Sequence, residues 1–267
     1  MALKIEIFMA IRLGPAGTGG DSLKGIQNTH DAGLKATEIE FTHGVYMSNE
    51  LAKKCGELAK KLDVHLSVHA PYFINLASEE RKKIEASKER ILESCERGHW
   101  LGAKYIVIHA GYYGKYSKEE CYQLIKKSII EMMEEIKRKK WGIELALEVM
   151  GKHSQFGDLD ELLRMKKETG CHLCIDFAHL KSRNNGNVDY NIIFEKLQKA
   201  GLKQIHAHFS GIQYTAKGEK KHILTEDGDI KGLLEWIKRS KIDATIINES
   251  PDPFGDSLKS KRILEEL

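Results

Sequence analysis

Apolar residues recur along the chain in two alternating patterns, which together predict a regular succession of strands and helices. Short runs rich in Ile, Val, Leu and Ala are each followed by a longer stretch in which apolar positions recur at helical spacing. The predicted strands are residues 4–13, 36–41, 64–69, 104–109, 142–148, 172–176, 203–208 and 244–249. The predicted helices are residues 21–32, 48–62, 79–101, 118–139, 158–169, 189–199, 230–239 and 256–267.

Eight strands that are each followed by a helix are typical of an α/β fold, either a (β/α)8 TIM barrel or an open doubly wound sheet. The barrel is favoured because six consecutive predicted strands end in residues that bind metals. These are His69, His109, Glu148, Asp176, His208 and Glu249. Side chains at the carboxyl ends of barrel strands converge on one face. We therefore predict a single TIM-barrel domain over residues 1–267, with a metal site at the C-terminal face.

Composition excludes several other classes of protein. Hydrophobic residues make up 41% of the chain and charged residues 30%, as in ordinary globular proteins. No apolar run approaches the ~18 residues of a membrane span, and the N-terminus lacks a signal-peptide pattern. We expect a cytoplasmic protein with no membrane partner. The five cysteines show no disulfide framework, so we expect reduced thiols, with Cys171 and Cys174 packing in a strand.

Neither charge nor loop motifs identify the partner. The net charge of +3 argues only weakly for a polyanion, although several bound divalent cations would attract phosphate without a basic surface. The glycine-rich loop at residues 14–20 matches neither a GxGxxG motif nor a P-loop. No nucleotide cofactor is expected.

Imidazole and carboxylate side chains suit Zn²⁺, and they also suit Mn²⁺ or Fe²⁺. The candidate ligands are His69, His109, Glu148, Asp176, His179, His208, His222 and Glu249. Because one zinc takes roughly three to four protein ligands, the set is too large for one ion. A carboxylate shared by two metals is the usual arrangement for hydrolysis at phosphorus.

Strand alternation separates these candidates from residues earlier in the same strands. His65, Glu144 and His206 each share a strand face with a candidate ligand but lie further from the C-terminal rim. We expect them inside the barrel or at its opposite rim, with His206 supporting a ligand from behind.

Short motifs spread over nearly the whole chain form one ordered pattern. They are Gly14-Pro15-Ala16-Gly17, Glu38-Ile39-Glu40-Phe41, His69-Ala70-Pro71-Tyr72-Phe73-Ile74-Asn75-Leu76, Ile108-His109-Ala110-Gly111, Leu147-Glu148, Cys174-Ile175-Asp176-Phe177-Ala178-His179, His208-Phe209-Ser210-Gly211-Ile212, His222 and Asn248-Glu249-Ser250-Pro251. In this order and spacing the chain resembles endonuclease IV, the metal-dependent apurinic/apyrimidinic endonuclease family, and most of all its archaeal-type branch.

The resemblance implies three zinc ions in the barrel mouth and a DNA-repair activity. The implied ligands are His69, His109 and Glu148 for the first ion; Glu148, Asp176, His208 and Glu249 for the second; and His179 and His222 for the third. Glu148 would bridge two ions and assist as catalytic base. The enzyme would cut double-stranded DNA 5′ to an abasic site, leaving a 3′-hydroxyl and a 5′-deoxyribose phosphate. Tyr72 matches a tyrosine that inserts into DNA, and we expect a monomer.

Two positions depart from the family pattern. The third metal of the family also takes an Asp two residues before the histidine matched by His222, and here that position is Lys220. We therefore expect two tightly held metals, and a third that is weak or absent unless Glu219 or Glu226 substitutes. Bacterial members also carry a DNA-inserting Arg where this chain has residues 43–47.

Two other functions remain open. A sugar isomerase or epimerase of the related xylose isomerase-like barrels would use Glu148, Asp176, His208 and Glu249 around a single metal, which leaves the other histidines without a role. A DNA-binding protein with a degenerate metal site is the non-enzymatic alternative, but most of the ligand set is present in this chain.

Overall fold

The computed structural model describes residues 10–267, which form a nearly closed barrel of parallel strands surrounded by helices. The strands are β1 (Ile11–Pro15), β2 (Ala36–Glu40), β3 (His65–His69), β4 (Tyr105–Ile108), β5 (Glu144–Glu148), β6 (His172–Asp176), β7 (Gln204–Phe209), β8 (Gly211–Thr215), β9 (Gly218–Ile223) and β10 (Asp243–Asn248). All except β8 and β9 belong to one eight-stranded sheet, in the order β1-β10-β7-β6-β5-β4-β3-β2. A parallel bridge between Ala16 and Glu38 brings the two edges of this sheet together.

The helices cover the outside of the barrel and connect its strands. They are α1 (Ser22–Asp31), α2 (Asn49–Leu62), α3 (Arg81–Leu101), α4 (Lys118–Lys139), α5 (Leu159–Thr169), α6 (Phe177–Arg183), α7 (Tyr190–Lys199), α8 (Asp227–Ser240) and α9 (Pro253–Glu266). Several begin at side chains that accept a hydrogen bond from the first turn, which satisfies a free backbone N–H. Ser117 and Asp158 form full capping boxes, with Glu120 and Glu161 respectively.

The TIM-barrel prediction is confirmed, and every predicted helix overlaps an observed one. The first strand is observed at Ile11–Pro15 rather than at 4–13, and residues 4–9 of that prediction lie outside the described residues. The prediction missed α6 and the antiparallel hairpin formed by β8 and β9. Helix α6 packs against this hairpin at the barrel mouth. None of the helices within residues 10–267 combines the length and apolar character that crossing a bilayer requires.

Strand alternation divides the core into two layers. Ile106, Leu145 and Leu173 belong to a large apolar cluster that includes the inward faces of the helices. Val107, Ala146 and Cys174, which alternate with them, form a separate small cluster together with Tyr105. This second cluster lies inside the barrel, because successive side chains of a strand point to opposite faces. Glu148 and Asp176 share the strand face of this inner cluster, so they also point inward.

Candidate metal centre

The carboxyl ends of the barrel strands open into a cavity of about 520 Å³. Its walls include six residues discussed above, namely Tyr72, His109, Glu148, His179, His222 and Glu249. Six of the eight predicted ligands lie at the ends of six barrel strands or directly after them, His179 lies in α6, and His222 lies in the β8–β9 hairpin. The structure therefore brings all eight to one end of the barrel, where catalytic residues of this fold are found.

Glu148, the last residue of β5, lies at the centre of the group and is 2% exposed. Its Oε2 is 3.2 Å from Nε2 of His69 and 2.9 Å from Nε2 of His109. Its Oε1 faces the other way, 3.0 Å from Nδ1 of His179. The two oxygens of one carboxylate thus point towards different sets of imidazoles.

A second group surrounds the same carboxylate. Ligand atoms of Glu148, Asp176, His208 and Glu249 all lie within 4.8 Å of one another. Nδ1 of His208 is 3.2 Å from Oε1 of Glu249 and 3.7 Å from Oε1 of Glu148. Asp176 caps α6 by accepting from the backbone N–H of His179 at 2.7 Å, so only its other oxygen is left for the cavity.

The third group forms where α6 meets the hairpin. Nε2 of His179 lies 3.3 Å from Nε2 of His222. Nδ1 of His222 lies 3.0 Å from Oγ of Ser210 and 3.1 Å from the carbonyl oxygen of Glu249, which turns its Nε2 towards His179. Two nitrogen ligands about 2.0–2.1 Å from a tetrahedral zinc are roughly 3.3 Å apart, so this pair is spaced to hold one ion.

Glu219 takes the position next to these histidines that the resemblance to endonuclease IV assigned to residue 220. Its carboxylate oxygens lie 3.5 Å from Nε2 of His179 and 3.9 Å from Nε2 of His222. Across the hairpin Gln213 pairs with Lys221 and Tyr214 pairs with Glu219, so Lys220 is an extra, unpaired residue. Such a bulge shifts the alternation of the strand by one residue. Of the two alternatives, Glu219 lines the cavity, whereas Glu226 is an exposed residue at the start of α8.

The charges in this cluster depend on one another. Burial opposes the charged form of His69, but its hydrogen bond to Glu148 and the nearby charge of Glu40 raise its pKa to about 10. Burial likewise opposes charge on His179, yet Asp176 and Glu148 raise its pKa to about 10. The surrounding imidazoles hold the pKa of Glu148 well below its usual range despite burial. Without metal, these histidines are held as cations by the carboxylates.

The donor set fits divalent cations. Among the described residues, buried Oε1 of Glu148, Oδ2 of Asp176 and Nδ1 of His208 have no aligned hydrogen-bond partner. Buried polar atoms without partners are rare in folded proteins. Imidazole nitrogens and carboxylate oxygens with open lone pairs are the ligands that Zn²⁺, Mn²⁺ and Fe²⁺ accept. The cysteine prediction also agrees, because all five cysteines are free and buried.

Sequence reasoning missed two carboxylates on β2. Glu38 is completely buried, with its oxygens 3.0 Å from Nε2 of His206 and 2.9 Å from Nε2 of His208. Burial and the nearby carboxylates Glu38 and Glu249 raise the pKa of Glu40 to about 8. The sequence spacing could have identified them, because two acidic residues two positions apart in a predicted strand lie on the same face. Here that face points into the barrel.

The residues expected away from the site lie where alternation predicted. His65 and Glu144 are exposed residues at the starts of β3 and β5. Glu144 pairs there with Nε2 of His172 at 2.8 Å. His206 is buried behind His208.

The rim of the cavity is aromatic. The ring of Tyr72 stacks over that of His109, with centroids 5.5 Å apart, and its side chain is 45% exposed. Phe73 is 63% exposed, and its ring lies 6.2 Å from that of His43. The loop at residues 43–47 thus contributes an imidazole beside an exposed phenyl ring.

The chain is similar to relatives of two kinds. An uncharacterised protein of Methanocaldococcus jannaschii is 35% identical over 257 residues, covering 92% of this chain and 93% of that protein. A protein of Metamycoplasma arthritidis named probable endonuclease 4 is 28% identical over 213 residues, covering 72% of this chain and 74% of the relative.

The chain shares its fold with solved structures whose names indicate different activities. Endonuclease IV from Thermus thermophilus superposes with a TM-score of 0.75 at 18% identity, covering 96% of this chain and all of that one. A D-tagatose 3-epimerase-like protein gives a TM-score of 0.73 at 23% identity and covers 96% of both chains. A family model described as xylose isomerase-like TIM barrel matches residues 26–267. The chain therefore belongs to the family of xylose isomerase-like TIM barrels.

Proposed function

We propose that this chain is a metal-dependent DNA-repair endonuclease that hydrolyses the phosphodiester 5′ to an abasic site. The observation that carries the proposal is the position of Glu148 between two groups of ligands. One of its oxygens faces His69 and His109 of the first group, and the other lies 3.7 Å from Nδ1 of His208 in the second. A carboxylate shared in this way is typical of sites that hold two metals for displacement at phosphorus.

We assign the ligands to three groups, and the contacts support this assignment. The first is His69, His109 and Glu148; the second is Glu148, Asp176, His208 and Glu249; the third is His179 and His222 with Glu219. Zinc is the ion we expect, with manganese or iron as alternatives. When bound, such ions supply a hydrolytic nucleophile from water near neutral pH and neutralise charge on the phosphate.

The reaction we propose adds the oxygen of water to phosphorus and breaks the bond from phosphorus to the upstream O3′. Glu148 accepts the proton of the attacking water. The departing O3′ takes a proton from solvent and Glu148 releases its proton to solvent, so the products are a 3′-hydroxyl and a 5′-deoxyribose phosphate. The neighbouring imidazoles lower the pKa of Glu148, which keeps its carboxylate ionised at neutral pH and therefore able to bind cations.

The aromatic rim supports an abasic substrate. Tyr72 and Phe73 stand exposed at the edge of the cavity, where they can occupy the gap in a duplex that has lost a base. Extruding an abasic nucleotide costs less than extruding a normal one, because there is no base to unstack. We propose that Tyr72 contacts the lesion and gives the enzyme its preference for damaged duplex.

A sugar isomerase or epimerase is the second candidate, because Glu148, Asp176, His208 and Glu249 form a complete group by themselves. Such an enzyme would leave His109, His179 and His222 without a function as ligands. The contacts of His109 and His179 with the shared carboxylate, and of His179 with His222, favour hydrolysis. The relatives named probable endonuclease 4 support the same choice.

The deciding experiment uses a duplex with one tetrahydrofuran abasic analogue. This analogue cannot undergo β-elimination, so any cut must be hydrolytic. We expect a nick 5′ to the analogue, with a product whose 3′-hydroxyl a polymerase extends. Absence of cleavage in the zinc-, manganese- and iron-loaded enzyme, together with a single metal per chain, would instead favour the isomerase.

A further inference from the structure

Glu38 is a buried carboxylate that reaches across the barrel interior to two histidines of β7. It lies on β2, which is separated from β7 by β1 and β10 around the barrel. It is fully buried, and among residues 10–267 its ion pairs are with His206 and His208. A glutamate in such a place is costly to bury unless its neighbours stabilise the charge.

The two ring nitrogens of His208 face different carboxylates. Nε2 lies 2.9 Å from Oε1 of Glu38, below the cavity, and Nδ1 lies 3.2 Å from Oε1 of Glu249, inside it. The contact with Glu38 is an ion pair that is not aligned as a hydrogen bond. The negative charge of Glu38 at this distance favours the form of His208 that carries its proton on Nε2. That form leaves the lone pair of Nδ1 directed at the cavity.

We propose that Glu38 is a positioning residue that keeps the proton of His208 on Nε2 and thereby makes Nδ1 a metal ligand. The inference rests on the proposed function, since it takes His208 as a ligand of the second group. Histidine ligands are commonly oriented by a carboxylate on the nitrogen that does not bind metal, and removing that carboxylate weakens metal binding.

His206 holds the other oxygen of Glu38. Its Nε2 donates to Oε2 at 3.0 Å, and its Nδ1 has no hydrogen-bond partner among the described residues. The two rings meet edge to face with centroids 5.5 Å apart. His206 therefore fixes the direction of the Glu38 carboxylate, while the charge that acts on His208 belongs to Glu38.

This arrangement predicts different effects for two neighbouring substitutions. Glu38→Gln removes the charge facing His208 but keeps the shape of the side chain. His206→Gln alters the same buried region but leaves that charge in place. If Glu38 only filled space, both variants would weaken metal binding to a similar extent.

The first test measures zinc affinity by competition with a chromophoric chelator, and cobalt absorption spectra report the ligand field. We expect Glu38→Gln to lose about 10- to 100-fold in affinity for one ion per chain, with an altered cobalt spectrum, and His206→Gln to lose much less. Unchanged zinc affinity in Glu38→Gln, or equal losses in the two variants, would overturn the proposal.

A second test uses the wild-type protein and so does not depend on the folding of a variant. Nitrogen-15 NMR of the histidine rings in the zinc-loaded protein distinguishes a proton on Nε2 from one on Nδ1. We expect His208 to carry its proton on Nε2, and a proton on Nδ1 would overturn the assignment. Neither test involves DNA. Failure to cleave abasic duplex with these two results intact would count only against the endonuclease.

Discussion

A carboxylate oxygen of Glu219 lies 3.5 Å from Nε2 of His179, although the resemblance to endonuclease IV places the matching ligand at residue 220. The difference arises in the β8–β9 hairpin, where Lys220 is bulged out and exposed. Because of the bulge, Glu219 and His222 lie on the same side of the strand. Without it, residues three apart would point to opposite sides. A cation at position 220 is therefore compatible with a third metal.

Glu219→Gln should remove the third metal and leave the other two. The change takes one negative oxygen from a pair of imidazoles, so the remaining ligands hold the ion less tightly. Metal content after exhaustive dialysis is the measurement, and Lys220→Asp is the matched control, because that side chain is exposed outside the group. Three retained metals in Glu219→Gln, or a clear gain in Lys220→Asp, would show that the bulge does not select the ligand.

Most of the barrel could be predicted because its elements obey local rules. Period-two and helical patterns persist in every repeat, and strands that end in His, Asp or Glu indicate where side chains converge. The β8–β9 hairpin could not be found in this way. Most of the residues in its two strands are exposed or half-buried, so these strands lack the apolar pattern of the barrel strands.

The inner carboxylates escaped prediction for a different reason. Glu38 and Glu40 lie on β2, but the side chains near them lie on β7 and after β10, far away in sequence. Their alternation shows that they point to one face, but it does not show that His206 and His208 face them. Only the closed barrel brings Glu38 within 3.0 Å of His206. The side chains that support the ligands are thus less visible in the sequence than the ligands themselves.

Glu148→Gln should nearly abolish cleavage of the abasic duplex without unfolding the barrel. The amide keeps the volume of the side chain but loses the charge that both sets of imidazoles face. We expect a loss of at least about 100-fold, the scale of a general base alone. Single-turnover cleavage is the measurement. Glu144→Gln is the control, since Glu144 lies on the same strand at the opposite rim; activity of Glu148→Gln within tenfold of wild type would refute the role of Glu148.

Tyr72→Ala should weaken binding to abasic duplex more than binding to undamaged duplex. Stacking of an aromatic side chain on a base contributes about 1–3 kcal/mol, or roughly 5- to 150-fold in affinity. Fluorescence anisotropy at fixed salt compares the two duplexes. Tyr46→Ala is the control, because Tyr46 is 85% exposed but does not line the cavity. Equal losses on both duplexes would reassign Tyr72 to general DNA contact or to packing.

Metal-free protein should keep His69 and His179 positively charged at pH 8, where an unperturbed histidine with a pKa of about 6.5 is neutral. Glu148 contacts both rings, and nearby carboxylates raise both pKa values to about 10. Zinc binds the neutral ring, so uptake at pH 8 must displace these protons and zinc affinity should rise with pH. Nitrogen-15 NMR of the chelator-treated protein follows each ring between pH 6 and pH 10. Glu148→Gln should lower both titration midpoints and Glu144→Gln should not, whereas midpoints below pH 7 in wild type would mean that the carboxylates do not hold these histidines as cations.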